Sequence, residues 1–354
     1  MALTQRNENA SMLDAQVELY GNTFAFMKSM ALKSAMDLRI ADAIQQHGGG
    51  ATLAQIAAEV TIHPSKISCL RRLMRVLVVS RIFTVQHPAP SVAGEDEPVY
   101  MLTPSSRLLV GSSNLVSITS FALLPTMVTP FLAIGKWFQN NLVPDQCIFK
   151  HTHGQSLWEL TDNEAAFNAH CNDGMVSDSR FVMDIFIKEY GEVFQGISSL
   201  VDVAGGLGAA AHAISKAFPE VKCRVLDLGH VIAKAPIGTD VEYISGDMFD
   251  SVPPANVVLL KGDNECVKIL KNCKKAIPSR DVGGKVIIID MVLGAGPSDP
   301  KHKELQALND LYIMLINGIE RDEQQWKKVI FEAGFSDYKI MPVLGFRSII
   351  EVYP

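Results

Sequence analysis

The chain has 354 residues, of which 48% are hydrophobic and 20% charged, and a formal net charge of −6. That length allows two domains and a substantial buried core, and that balance belongs to an ordinary folded protein rather than a disordered one. The mild acidity gives no electrostatic attraction to nucleic acid or to an anionic membrane surface.

Residues 1–112 read as a mainly helical unit. The opening MALTQRNENASMLDAQ is polar and lacks the apolar core of a signal peptide. Leu13, Val17 and Tyr20, then Phe24, Met27 and Ala31, recur at helical spacing. Thr52 is placed to cap LAQIAAEV, and His63-Pro64-Ser65 opens the helix KISCLRRLMRVLVVS. The short strands IFTV and VYML follow, on either side of a Pro/Gly/acidic tip at His87 to Pro98. Two helices with a tight connection plus a β-hairpin form a winged-helix pattern. Lys66, Arg71, Arg72 and Arg75 lie on the helix that would read DNA, but residues 1–120 hold ten basic against nine acidic side chains. A nucleic-acid domain shows a clear basic excess, so the pattern predicts protein–protein packing instead.

Residues 113–190 read as a helical connector. No charge occurs between Arg107 and Lys136, yet Gly111, Asn114, Pro125 and Pro130 interrupt the run. A buried helix pair fits this better than a membrane span, which needs about 20 predominantly apolar residues. Further on, AAFNAHCNDGMVSDSRFVMDIFIKEY is a long helix pattern interrupted near Gly174. Its stripe of Met175, Phe181, Met183 and Phe186 is a pattern more often of core than of pocket. His151-Thr-His153 has no carboxylate or cysteine partner at ligand spacing and reads as loop, so no metal site is predicted. Six cysteines (Cys69, Cys147, Cys171, Cys223, Cys266, Cys273) lack CxxC spacing, as reduced thiols of a cytoplasmic protein do.

From residue 191 to 354, strand and helix patterns alternate as a doubly wound α/β domain requires. The strands are SLVDV, KCRVLDL, VEYIS, NVVLLK and KVIIIDMVL, with a closing pair near DYKIMPV and FRSIIEVY. The stretch from Ser199 to Leu228 is a strand, a glycine turn (Gly205, Gly206, Gly208), a small-residue helix and a second strand ending on Asp227. Such glycines let backbone approach a nucleotide, and a carboxylate at the strand tip can take both ribose hydroxyls. Gly206 to Ala211 also fits a relaxed dinucleotide fingerprint, leaving a nicotinamide cofactor open. Asp247-Met248, just after the third strand, suits an adenine, with the carboxylate accepting from the exocyclic amine and the thioether packing on the ring. The closing strand order is that of the S-adenosylmethionine (AdoMet) version of the sheet.

With these segments on the page, the chain resembles the plant small-molecule O-methyltransferases that use AdoMet, the caffeic acid, isoflavone, flavonoid and acetylserotonin type. The resemblance spans essentially the whole chain, through MKSMALKSAMDLRIADAI, LRRLMRVL, SLVDVAGG, KAFPEVKCRVLDL, ISGDMFDSVPPANVVLLK, GGKVIIIDMVL, NGIER and FEAGFSDYKIMPVLGFRSIIEVYP. It implies a Rossmann-like α/β methyltransferase sheet behind an N-terminal winged-helix dimerisation domain. It also implies a homodimer acting on hydroxyls of small phenolic, flavonoid or indole-type metabolites, with no nucleic acid or membrane partner. Carried over, Ala204, Gly205 and Gly206 would form the cofactor loop, Asp227 would hold the ribose, Asp247 and Met248 the adenine, and Lys261 would sit near the cofactor. Trp158, Met175 and Phe181 would line the acceptor pocket.

Three departures from the family pattern stand out. Where the family reads DVGGGTG, this chain has Asp202-Val203-Ala204-Gly205-Gly206-Leu207-Gly208. Ala204 disfavours a positive φ, and Leu207 removes a hydroxyl that could cap the next helix, so weaker AdoMet binding is expected. After Lys261 the chain passes directly to Gly262-Asp263-Asn264-Glu265-Cys266, without the family's general-base histidine. About six residues are missing, which leaves a connection within the usual roughly 2–6 residues, with Asp263 or Asn264 able to cap the next helix. Asp290 and Glu320, the acids that orient that base in the family, are present. They are either orphaned or, with pKa raised by burial, one serves as a poorer base. His170 and His302 are the histidines nearest in the pattern that could substitute. The expectation is an AdoMet-dependent O-methyltransferase with impaired catalysis, or else an inactive ligand-binding homologue that partners active relatives.

Overall fold

Helical spacing and caps build the first part of the chain, and in the computed structural model it divides into two compact units, Met1–Leu124 and Pro125–Pro354. The structure describes residues 2–87, 97–139, 146–261 and 266–354, with the side chains of residues 2–10 and of Lys261 outside that description. The wing tip between His87 and Glu97, and the capping roles considered for Asp263 and Asn264, therefore lie outside the described residues.

In the N-terminal unit, α1 (Ala2–Thr23) and α2 (Phe26–Asp37) carry the apolar repeat read from the sequence. Only the end of that repeat is buried in the unit: Ala31 is in the core, whereas Leu13, Val17, Tyr20, Phe24 and Met27 are exposed. Helices α3 (Ile40–Gln46), α4 (Leu53–Glu59) and α5 (Ile67–Val79) pack with a small antiparallel sheet. Its strands β1 (Gly50–Thr52), β2 (Phe83–Gln86) and β3 (Val99–Leu102) run in the order β1-β3-β2. Thr52 caps α4 in a reciprocal capping box with Gln55, satisfying two otherwise orphaned backbone groups. Ile40, Ile44, Ile56, Met74, Leu77 and Phe83 form the centre of this winged-helix core. A one-turn helix α6 (Pro104–Arg107) and α7 (Val116–Ala122) complete the unit.

Taken as one segment, Val116–Gln139 is long and apolar enough to cross a membrane, with 24 residues and a mean hydropathy of 1.6. The backbone breaks it into α7, α8 (Pro125–Leu132) and α9 (Ile134–Gln139), of which the longest has eight residues. At 1.5 Å per residue such a helix reaches only about 12 Å, against a hydrocarbon core of about 30 Å.

The second unit continues with α10 (Ile148–His153), α11 (Leu157–Asn163) and α12 (Ala165–Tyr190). Two expectations are corrected here. His151 and His153, read as loop, are helical, and His153 Nε2 lies 2.8 Å from the Thr126 carbonyl. Helix α12 runs unbroken through Gly174, which is buried. One helical glycine costs about 1 kcal/mol, whereas each fully buried large apolar side chain contributes roughly 1.5–3 kcal/mol. Burial of Phe167, Val182, Met183 and Phe186 along the same helix outweighs the glycine.

The main sheet contains β4 (Ser199–Val203), β5 (Lys222–Asp227), β6 (Glu242–Ser245), β7 (Val257–Lys261) and β8 (Lys285–Asp290). A separate parallel pair, β9 (Val292–Leu293) and β10 (Arg321–Asp322), follows, and β11 (Asp337–Leu344) and β12 (Arg347–Tyr353) close the chain. The seven-stranded order is β11-β12-β8-β7-β4-β5-β6, with β12 inserted antiparallel beside β8. This is the Rossmann-like methyltransferase arrangement read from the closing strands. Successive residues alternate between the two faces: Val201, Val258, Val286 and Ile350 enter one core, Leu200, Val257, Ile287 and Ile349 the other. Continuous apolar strands are what a sheet covered on both faces requires. Helices α13 (Ala209–Ala217), α14 (Gly229–Ile232), α15 (Cys266–Ala276), α16 (Pro300–Ile313) and α17 (Glu323–Glu332) complete the unit.

Candidate functional site

The carboxyl ends of the parallel strands converge on one edge of the sheet, where open α/β folds bind ligands. At the end of β4 the chain turns through Ala204, Gly206 and Gly208, all with positive φ (+53°, +61° and +77°). Gly205 is needed for a different reason, since a Cβ there would stand 2.6 Å from Asp202 Oδ2. Ala204 thus adopts the left-handed conformation its methyl disfavours, at a cost of about 1–2 kcal/mol. Two residues of the neighbouring strand β5 hold it there. The Ala204 N–H donates to the Leu226 carbonyl at 2.9 Å, and the Gly206 N–H donates to Asp227 Oδ2 at 2.8 Å.

Asp227 Oδ1 accepts the Leu228 N–H at 2.7 Å. Each carboxylate oxygen therefore keeps lone-pair capacity for a further donor. The pairing of Asp227 with Ser245 across β5 and β6 brings Asp247 beside it. Asp247 Oδ1 accepts the Phe249 N–H at 2.8 Å, and Met248 is partly buried against the adjoining core. Asn272 of α15 donates to the Met248 and Phe249 carbonyls at 3.1 and 3.0 Å, fixing this turn. A glycine loop open at Gly206, an acid with free acceptor capacity at the next strand tip and a second acid with a thioether beyond it suit the ribose and adenine of AdoMet. Lys261 ends β7 on the same sheet edge, its side chain outside the described residues.

A second group of acids forms where β9 and β10 pair. Val292 opposite Arg321 sets Asp290 and Glu320, the residues just before the pair, close together. Glu320 is buried, only 9% exposed, and Asp290 is partly buried. Burial pushes Asp290 up to about 6, opposed by the Met291 N–H and by Arg321 and Arg347. Burial, then the nearby Asp290 and Asp310 charges, push Glu320 up to about 7, against the Asn309 hydrogen bond and Arg321. The bond from Asn309 Nδ2 to Glu320 Oε1 is 2.8 Å, and the Glu320 N–H donates to Asp310 Oδ1 at 3.1 Å. Such a pair can take or give a proton near neutral pH.

The three residues expected at the acceptor are distributed differently. Trp158 on α11 and Met175 on α12 are exposed, and Phe181 on α12 packs against the core beneath α13. His170 is exposed on α12, and His302 Nε2 lies 3.2 Å from both the Ala295 carbonyl and Gln306 Nε2. Sequence reasoning passed over Tyr243, His212, Asn272 and Asn309, which hold the loops and acids in place. A polar side chain inside or beside an apolar strand, as in VEYIS, was the available signal.

The comparisons agree with this geometry. Residues 131–336 match the O-methyltransferase domain family, and residues 21–112 match the O-methyltransferase dimerisation domain. The chain is 61% identical to the O-methyltransferase ZRP4 of Zea mays, with 100% of both chains covered. It is 50% identical to the 5-pentadecatrienyl resorcinol O-methyltransferase of Sorghum bicolor, covering 98% of each. Among solved structures, CalO1, a methyltransferase of calicheamicin biosynthesis in its SAH-bound form, shares the fold with a TM-score of 0.77 at 23% identity, covering 97% of this chain and 98% of that one. Matching domains along the chain and end-to-end identity at this level leave one conclusion: the chain belongs to the O-methyltransferase family, enzymes that draw their methyl group from S-adenosylmethionine, and it carries that family's dimerisation domain.

Proposed function

We propose that the chain methylates a hydroxyl of a small aromatic metabolite (phenolic, flavonoid or indole-type) as a cytoplasmic homodimer, with turnover slowed by the lack of a general-base histidine. The observation that carries the cofactor half is the Asp227 carboxylate, seated at the tip of β5 and tied to the Gly206 N–H of the cradle. Ala204, Gly205 and Gly206 form its loop, Asp247 and Met248 its adenine side, and Lys261 its β7 side. The resorcinol substrate named for the sorghum relative supports a phenolic acceptor. Trp158, Met175 and Phe181 are the residues proposed to shape the acceptor site. The exposed apolar residues of α1 and α2 support pairing with a second copy.

Bound at the cradle, AdoMet supplies an electrophilic methyl group on a sulfonium sulfur. The chain's own task is to hold the acceptor oxygen in line and take its proton. A phenol has a pKa near ~10, so it is mostly protonated at neutral pH, and a positioned base contributes roughly 10²–10⁴-fold. No histidine occurs between Lys261 and Cys266. The alignment to the maize relative runs over 365 positions, longer than this chain, as expected where the relative has residues that this chain lacks. Among the described residues, Asp290 and Glu320 are the acids that take the proton in this reading, and Glu320, raised to about 7, is the better of the two. Alignment of the reactants still supplies catalysis without a strong base.

Incubation with labelled AdoMet and a panel of phenols, flavonoids and N-acetylserotonin tests this reading. Slow transfer supports it, and transfer at the rate of the maize relative assayed alongside refutes the impairment. A second reading, an inactive ligand-binding homologue that partners active relatives, is favoured by the same missing histidine. It predicts AdoMet binding by calorimetry with no turnover, and mixed dimers with an active relative. Sequencing the transcript through the codons for Lys261 to Cys266 separates a true deletion from a splice or gene-model variant.

A further inference from the structure

The cradle lacks the group that would ordinarily start its helix. Leu207 offers no hydroxyl, and α13 begins after Gly208 with no side-chain cap. A phenol from the outermost strand holds the loop by a carbonyl. Tyr243 Oη, on β6, donates to the Leu207 carbonyl at 2.9 Å and lies 3.0 Å from His212 Nε2 in the first turn of α13. With the phenol proton directed at Leu207, the imidazole is the donor of the second bond. Burial lowers the His212 pKa, which keeps the ring neutral, and burial raises that of Tyr243, which keeps its proton on.

The fit around this phenol is close. A Cβ at Gly208 would stand 2.6 Å from Tyr243 Oη, so the glycine is required by the contact as well as by its φ of +77°. Across the loop, Asp227 holds the Gly206 N–H. Positive φ at Ala204, Gly206 and Gly208 is not a shape this segment adopts by local preference alone, since an alanine is among them. The loop therefore depends on partners outside it, Leu226 and Asp227 from β5 and Tyr243 from β6.

We infer that Tyr243, supported by His212, is a positioning residue for the cofactor: its hydroxyl holds the Leu207 carbonyl, and with it the cradle, in the binding shape. This inference rests on the reading of the cradle as the AdoMet site. Calorimetric titration of the full-length protein with AdoMet tests it without recourse to turnover. The Tyr243→Phe variant should bind about five- to tenfold more weakly, the loss of roughly one net hydrogen bond. His212→Ala should bind about two- to fivefold more weakly alone and add little to Tyr243→Phe, because the two act in series. His212→Gln, which keeps an N–H donor for the phenol oxygen, should recover most of the affinity lost in His212→Ala. Affinity unchanged in Tyr243→Phe overturns the inference, as does a loss in His212→Ala that His212→Gln fails to restore. If Tyr243→Phe does not fold, unchanged affinity in His212→Ala overturns it equally. Failure of the unaltered protein to bind AdoMet overturns the cradle reading itself, a different and distinguishable result.

Discussion

Two acidic groups sit at the carboxyl edge of the same sheet under opposite conditions. On the β5 side, Asp227 is partly exposed and accepts two backbone N–H groups, from Gly206 and Leu228. Near β8 and β10, partly buried Asp290 stands beside buried Glu320, and desolvation raises both. The contrast shows how one residue class takes two roles. A carboxylate supplied with N–H donors is built to accept hydrogen bonds from a ligand. A buried carboxylate beside another acid is built to exchange a proton.

The sharpest way to break this contrast is Asp227→Ala. It removes the partner of the Gly206 N–H and the proposed ribose acceptor together, so AdoMet affinity should fall about 50-fold or more in calorimetry, the scale of losing two hydrogen bonds to a charged group. Affinity within fivefold of the unaltered protein would place the ribose elsewhere. Next comes Glu320→Gln, which keeps an acceptor for Asn309 but cannot take a proton. Methyl transfer should drop about tenfold or more while AdoMet affinity stays within about twofold, as loss of a weak base predicts. An equal loss of both would make Glu320 merely structural.

The same variant probes the buried pair through pH. The ordinary values of 3.8 and 4.5 lie below the folded values of about 6 and about 7. Below about pH 3 both acids are mostly protonated whether folded or not. As pH rises through the folded values the native state loses stability, because the unfolded chain releases these protons more easily. Glu320→Gln removes the Glu320 share of that loss and leaves that of Asp290. Its stability relative to the unaltered protein should be near zero at about pH 4 and favourable by about 1–3 kcal/mol at about pH 8. A gain that does not vary with pH would show that packing, not ionisation, is responsible. The smallest effect is expected from Ala204→Gly, which relieves the left-handed alanine. Thermal unfolding should show a stabilisation of up to about 1 kcal/mol, offset in part by the freedom glycine adds to the unfolded chain.

The first of the two acidic groups was more legible than the second. A strand, a glycine turn and a strand ending on Asp227 are contiguous in the sequence, and the geometry of such a turn follows from local steric rules. The winged-helix core was legible for the same reason, since period and caps are local properties. The acids near β8 were known only through the family resemblance, because thirty residues separate them. Only the parallel pairing of β9 with β10 brings them together, and only burial changes their chemistry. Helix α12 was misread at Gly174 because a glycine signal is local, whereas the packing that overrode it is not.

Composition, strand alternation and the motif from Ser199 to Leu228 determined by themselves that this chain is a two-part α/β protein with a nucleotide-type cradle. The absence of a histidine between Lys261 and Cys266 is likewise a fact of sequence. The tertiary structure decided what supports the cradle and what state the remaining acids are in. A left-handed Ala204 is tolerated because Leu226 and Asp227, from another strand, hold the backbone around it. Tyr243 reaches Leu207 because β6 lies beside β5 at the sheet edge. Local sterics can be read along the chain, but hydrogen-bond supply and desolvation depend on which distant segments the fold brings into contact.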